Sequence, residues 1–125
     1  MPAWVTVAQA ALESNWGESE LSREANNYFG IKAHAGDNRI VMSTKECEKG
    51  KQIEIRAPFA RYTSMLDCFR CRDEIIERGS VYAGAREKIR DESGFIEEIA
   101  RHWATDPHYA EKLREVLNEV KGMLQ

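Results

Sequence analysis

The chain is 125 residues long, with 42% hydrophobic and 31% charged residues and a formal net charge of −3. That length holds one domain, and the balance is that of a globular protein, not of a fibrous or disordered one. The mild acidity argues against nucleic-acid binding, which favours a basic stripe; no apolar run approaches the roughly 20 residues that span a bilayer, so no membrane insertion is expected.

Met1-Pro2-Ala3-Trp4 lacks the basic and apolar regions of a signal peptide, so either an export segment has been removed or the protein reaches its target another way. Pro2 suits the first turn of a helix. Val5, Ala8 and Leu12 follow at helical spacing until Gly17 ends the segment. Ser19 to Ala25 reads as a short second helix and Asn26-Asn27 as a turn. From Tyr28 to about Tyr62 the period changes. Ile40-Val41-Met42 and Ile53-Glu54-Ile55 read as a small, irregular β-hairpin, with Gly50 and the charged run Glu46 to Lys51 between them. Ser64 caps a helix through Leu66, Phe69 and Ile76 that Gly79 stops. A short helix covers Tyr82 to Arg90, and Ser93 caps the next, with Ile96, Ile99 and Trp103 in step. Asp106-Pro107 opens the last helix as N-cap and N1. Its stripe is Tyr109, Leu113, Val116, Leu117, Val120 and Leu124. The layout predicts an α+β fold, mostly helical with a small β-lobe at about 34–62, in one domain over 1–125.

Glu13 sits late in the first helix, after small and apolar residues. Apolar neighbours and the negative helix end both raise a carboxyl pKa, which is what a general acid needs to hold its proton near neutral pH. Trp16, three residues on, is placed to shield that carboxyl or to stack on a sugar. The plainer reading makes Glu13 a solvated helix-end carboxylate and Trp16 a core residue. Cys47, Cys68 and Cys71 do not describe a disulfide framework. Cys68 and Cys71, three apart on one helix, are expected to be free, because i,i+3 neighbours stand too far apart for a bond. His34, His102 and His108 show no ligand spacing.

Ala8-Gln9-Ala10-Ala11-Leu12-Glu13-Ser14-Asn15-Trp16-Gly17 resembles the signature of the bacterial glucosaminidase family, glycoside hydrolase family 73, which includes autolysins, flagellar peptidoglycan hydrolases and phage endolysins. Asn26-Asn27-Tyr28-Phe29-Gly30-Ile31-Lys32, Phe59-Ala60-Arg61-Tyr62-Thr63-Ser64 and the run from Trp103 to Leu113 resemble three further stretches of that family, in the same order. The resemblance implies a lysozyme-like α+β fold and cleavage of peptidoglycan glycan strands, by an endo-β-N-acetylglucosaminidase action, at the β-1,4 bond between N-acetylglucosamine and N-acetylmuramic acid.

It also implies residue roles. The family's catalytic glutamate falls on Glu13. A second acid, from a T-x-E motif, falls on Glu46 in Thr44-Lys45-Glu46, with Glu48 as a competing assignment. Glu46 acts as base on a water if the two carboxyls lie about 6.5–9.5 Å apart; otherwise the substrate's own acetamido group acts as nucleophile. Trp16, Phe29, Tyr62 and Trp103 form the expected aromatic wall. Asn27, Phe29 and Gly30 shape the cleft floor, Gly30 by close backbone approach, and Asn27 either holds the turn or touches sugar. Trp103 departs from the family's tyrosine and offers only an N–H donor, so that either Tyr109 or Tyr62 supplies a phenol or the role is absent. Family members usually carry more chain before the first motif, so a truncated or minimal domain is expected. Asp106 reads as an N-cap and not as a catalytic acid. No metal or cofactor is implied, and a monomer acting on the bacterial cell wall is expected. A lytic transglycosylase or muramidase of the same fold, and a non-catalytic peptidoglycan-binding domain, remain as rivals.

Overall fold

The computed structural model describes residues 1–123, and its elements are α1 (Ala3–Ser14), α2 (Glu20–Ala25), β1 (Arg39–Glu48), β2 (Lys51–Ala60), α3 (Met65–Arg78), a 3₁₀ turn (Ser80–Tyr82), α4 (Ala83–Glu87), α5 (Glu92–Trp103) and α6 (Tyr109–Met123). The α+β class is as expected: helices form the body, and one antiparallel hairpin forms the β-lobe.

α1 is buried on most sides, and its small residues allow this. Ala8, Gln9, Ala10, Ala11 and Ser14 are all buried, and alanines let neighbouring helices approach. Val5 and Ala8 share a core with Ile76 of α3, Phe95, Ile96 and Ile99 of α5, and Tyr109, Leu113 and Leu117 of α6. The α6 stripe therefore does what its period predicts; Leu124, its last expected member, lies outside the described residues. A second cluster, with Ala10, Phe29, Ile31, Ala60 and Cys68, joins α1 to the base of the hairpin.

Several boundaries differ from the sequence expectation. α1 stops at Ser14 and not at Gly17, because Asn15, Trp16 and Gly17 take φ values of 49°, 58° and 80°. Ser14 fastens this exit: its hydroxyl donates to the Ala10 carbonyl at 2.6 Å and accepts from the Gly17 N–H at 2.8 Å. Asp91, not Ser93, caps α5, accepting from the Gly94 N–H at 3.1 Å. Asp106 does accept from the His108 N–H, at 2.8 Å, but Pro107 lies in the turn and α6 begins at Tyr109.

The hairpin is more regular than expected. Its strands pair one to one over ten rungs, from Arg39↔Ala60 to Glu48↔Lys51. Most of the charged run lies in the strands, and only Lys49 and Gly50 turn the chain. Both have positive φ, 51° and 77°, the requirement of a type I′ turn that matches strand twist. Charge is tolerated because the outer face meets water: Val41, Ser43 and Lys45 are exposed, while Ile40, Met42, Thr44 and Glu46 are partly buried on the inner face. A bridge between Lys32 and Phe59 ties the hairpin base to the body.

Candidate active site

A cleft of about 690 Å³ lies between the end of α1, residues 29–32, the inner face of the hairpin and the loop joining α5 to α6. Glu13, Phe29, Gly30, Glu46, Trp103 and Tyr109 line it; Trp16, Asn27 and Tyr62 do not.

Glu13 is the penultimate residue of α1, near the negative end of the helix dipole. Burial pushes its carboxyl up from an ordinary value of 4.5 to about 7; the Tyr109 hydroxyl beside it opposes this, and the charges of Glu46 and then Asp106 reinforce it. The Tyr109 hydroxyl acts on this carboxyl, yet it and Gln9 Nε2 are buried with no hydrogen-bond partner among the described residues. Gly30, at φ 68°, brings bare backbone against the acid: a Cβ there would lie 3.7 Å from Glu13 Oε2.

Glu46 faces Glu13 from the hairpin. One of its carboxylate oxygens pairs with Lys32 Nζ at 2.9 Å and the other accepts from the Thr105 hydroxyl at 3.3 Å. The Cys47 N–H also donates to the Thr105 hydroxyl, at 3.1 Å, so the hairpin is fastened across the cleft to the α5–α6 loop. Glu48 shares the inner-face parity of Glu46 but is exposed at the strand end and does not line the cleft.

Three expected contact residues are placed elsewhere. Trp16 leaves the helix in the left-handed region and is 44% exposed, away from the cleft, because α1 ends at Ser14 and the i+3 relation does not reach it. The Asn27 amide is fully used inside the protein. It donates to the Ile31 and Ala60 carbonyls, both at 2.9 Å, and accepts from the Phe29 and Ile31 N–H groups at 3.3 and 3.1 Å. It therefore holds the turn that presents Gly30 and has nothing left for a sugar. The Tyr62 hydroxyl donates to Cys71 Sγ at 3.1 Å, in the cluster behind the cleft.

The aromatic wall is correspondingly smaller. Phe29 is 1% exposed and edge-packed against Phe69 and Trp103, with centroids 4.9 and 6.3 Å away; it backs the wall more than it offers a face. Trp103 is partly exposed, and its indole N–H donates to the Phe29 carbonyl at 3.3 Å. Its one donor being engaged, it can give a sugar only its ring. Of the two tyrosines expected to supply a phenol, Tyr109 stands at the acid.

The glucosaminidase family, described as mannosyl-glycoprotein endo-β-N-acetylglucosaminidase, matches residues 1–122. The chain belongs to the glucosaminidase family. Among its relatives is the exo-glucosaminidase LytG of Bacillus subtilis, 37% identical over 120 residues, covering 92% of this chain and 43% of that protein. Another is the peptidoglycan hydrolase FlgJ of Salmonella typhimurium, 33% identical over 129 residues, covering 98% of this chain and 41% of that protein. The chain thus spans less than half the length of these curated relatives. The fold is also that of a mutant peptidoglycan hydrolase from Sphingomonas sp. A1 (TM-score 0.88, 31% identity, 98% of this chain and 84% of that one). The catalytic domain of the autolysin Auto from Listeria monocytogenes is similar as well (TM-score 0.80, 33% identity, 97% of this chain and 73% of that one).

Lys32, His102 and Thr105 also line this glucosaminidase-family cleft, and none of them has a role readable from the sequence. Lys32 and Thr105 each lie in a motif stretch, and their presence there was the only available signal.

Proposed function

We propose that this chain is one catalytic domain, over residues 1–125, that hydrolyses peptidoglycan glycan strands at the β-1,4 bond after N-acetylglucosamine, acting within the strand. The observation that carries the reading is Glu13: a carboxyl held to about pH 7 by burial, in a cleft opposite a second carboxylate. A carboxyl that keeps its proton near neutrality can protonate the leaving glycosidic oxygen. Family membership and the printed names of LytG and FlgJ support the substrate. Glu46 serves as base for a water on the opposite face of the ring, or as an electrostatic stabiliser where the substrate's acetamido group attacks. Trp103 gives a face to the apolar C–H side of a sugar ring, and Gly30 leaves room for the substrate beside the acid. The domain acts as a monomer on the bacterial cell wall.

Mass spectrometry of digested peptidoglycan tests this. Products with a reducing N-acetylglucosamine end, and cuts internal to long strands, support the reading. A reducing muramic acid end would make the chain a muramidase, an anhydromuramic end a transglycosylase, and absence of fragments a binding domain.

A further inference from the structure

Glu46 is carried far out on the hairpin. It pairs with Ile53, six rungs beyond the Ile40↔Phe59 rung at which Lys32 bridges the hairpin to the body. A two-stranded hairpin is at best marginally stable by itself, so the ribbon alone does not hold a carboxylate in one place over that distance. Among the described residues, every hydrogen bond between residues 43–57 and the chain outside the hairpin falls at Glu46 or Cys47. Two of these three bonds are made by the Thr105 hydroxyl, from the α5–α6 loop.

The hairpin register explains how one hydroxyl reaches both residues. A turn of two residues, Lys49 and Gly50, makes Glu48 and Lys51 the bonded pair that closes it, and bonded and unbonded pairs alternate from there. Cys47↔Gln52 is therefore an unbonded pair, and the Cys47 N–H points outward from the open edge of β1. Thr105 Oγ1 accepts from it at 3.1 Å. A hydroxyl has two lone pairs but one hydrogen, and that hydrogen goes to Glu46 Oε2, at 3.3 Å. Lys32 Nζ holds the other oxygen at 2.9 Å. One hold leaves a carboxyl free to turn about its broad terminal torsion. Two holds on different oxygens, from segments 14 residues before and 59 after, fix its plane.

We propose that Thr105 is a positioning residue for Glu46, tying down the hairpin edge and fixing the direction of the carboxylate with one hydroxyl, an inference that rests on Glu46 taking part in hydrolysis. Thr105 itself does not react; it acts through Glu46. Displacing a reacting group by about 1 Å can cost on the order of 100-fold in rate. Thr105 is exposed, so water replaces part of what its bonds supply, and the expected effect is smaller, about tenfold.

The test is a kinetic cycle of Thr105→Val with Glu46→Gln on soluble glycan strands, with Thr105→Ser alongside. Valine keeps the shape and loses the hydroxyl. It should lower kcat about tenfold and change KM by less than about twofold. Serine keeps the hydroxyl and should recover most of the wild-type kcat. In a Glu46→Gln background Thr105→Val should cost less than about a further twofold, because it acts through a group already disabled. A loop that only supports the fold would cost the same tenfold there, and that result overturns the proposal, as does a serine variant as slow as the valine one. Amide hydrogen exchange at Cys47, read by NMR without substrate, should speed up in Thr105→Val and not in Thr105→Ser; exchange unchanged in Thr105→Val overturns the contact itself. Wild-type kcat in Glu46→Gln would instead overturn the reading of Glu46, and the Cys47 exchange then shows separately whether Thr105 holds the hairpin. Should Thr105→Val not fold, Thr105→Ala takes its place in every arm.

Discussion

Gly30 stands against Glu13 so closely that the first carbon of any side chain there would lie 3.7 Å from Oε2, and its φ of 68° disfavours such a side chain in any case. Gly30→Ala is expected to lower stability by about 1–2 kcal/mol through left-handed strain. It is also expected to cut activity by more than that loss explains, because the methyl group occupies space beside the acid. Urea unfolding and initial rates on the same preparation separate the two effects.

Glu13→Gln should lower activity by about 10²–10⁴-fold or more, since glutamine has no acid proton to give. In the wild type, activity should fall as pH rises through about 7, the value to which burial holds the acid. The same shift acts on stability. The folded state holds this proton more tightly than the unfolded chain, so its contribution is complete below pH 4.5 and is lost as pH rises toward 7. Glu13→Gln does not titrate. It should therefore be more stable than wild type at pH 8, on the order of 2 kcal/mol, and nearly equal at pH 4. Thermal melts at the two pH values read this directly.

Glu46→Gln should cost less activity than Glu13→Gln, and Glu48→Gln least, because Glu48 is exposed at the end of its strand. The anomer seen by NMR immediately after cleavage distinguishes the roles of Glu46: an α-product means it activates water, a β-product means the acetamido route. A larger loss in Glu48→Gln than in Glu46→Gln would overturn the assignment.

Asn27→Ala removes an amide that makes four hydrogen bonds within the protein. The expected result is a loss of about 2–4 kcal/mol, from several buried groups left unpaired, with activity falling through stability and not through KM alone. A stable variant with a raised KM would return Asn27 to the substrate.

Among the cysteines, which are all free, Cys47 should react with a maleimide first and Cys68 last. Burial pushes the Cys68 thiol up to about 11, and the thiolate is the reactive form. A bulky group on Cys47, whose N–H bonds to Thr105, should loosen the fastening of the hairpin and slow cleavage. Thiol counting by mass against time checks the order.

The parts legible in the sequence were local ones. Ser64 before α3, the α6 stripe and Glu13 near a helix end each follow from spacing over one or two turns. Trp16 was misplaced because three residues in succession took positive φ, which Gly17 favours by lacking a Cβ and Asn15 tolerates, but which Trp16 itself does not signal. The partners of Glu46 could not be read from spacing: Lys32 is 14 residues away and Thr105 is 59. Asn27 was ambiguous for a related reason, since one of its bonds crosses 33 residues to Ala60. The cap of α5 was misjudged by two residues because aspartate and serine are near equals at that position.

The two-residue turn of the hairpin leaves its length adjustable. Residues 48–52 are all exposed, so rungs can be inserted beyond Cys47 without disturbing the body. Each added rung extends the tip by about 3.4 Å, and insertion two rungs at a time preserves which side chains point inward. Hairpins of graded length on this scaffold would therefore act as a ruler for how far along a polymer strand the domain takes hold, with Glu13 and Glu46 left in place.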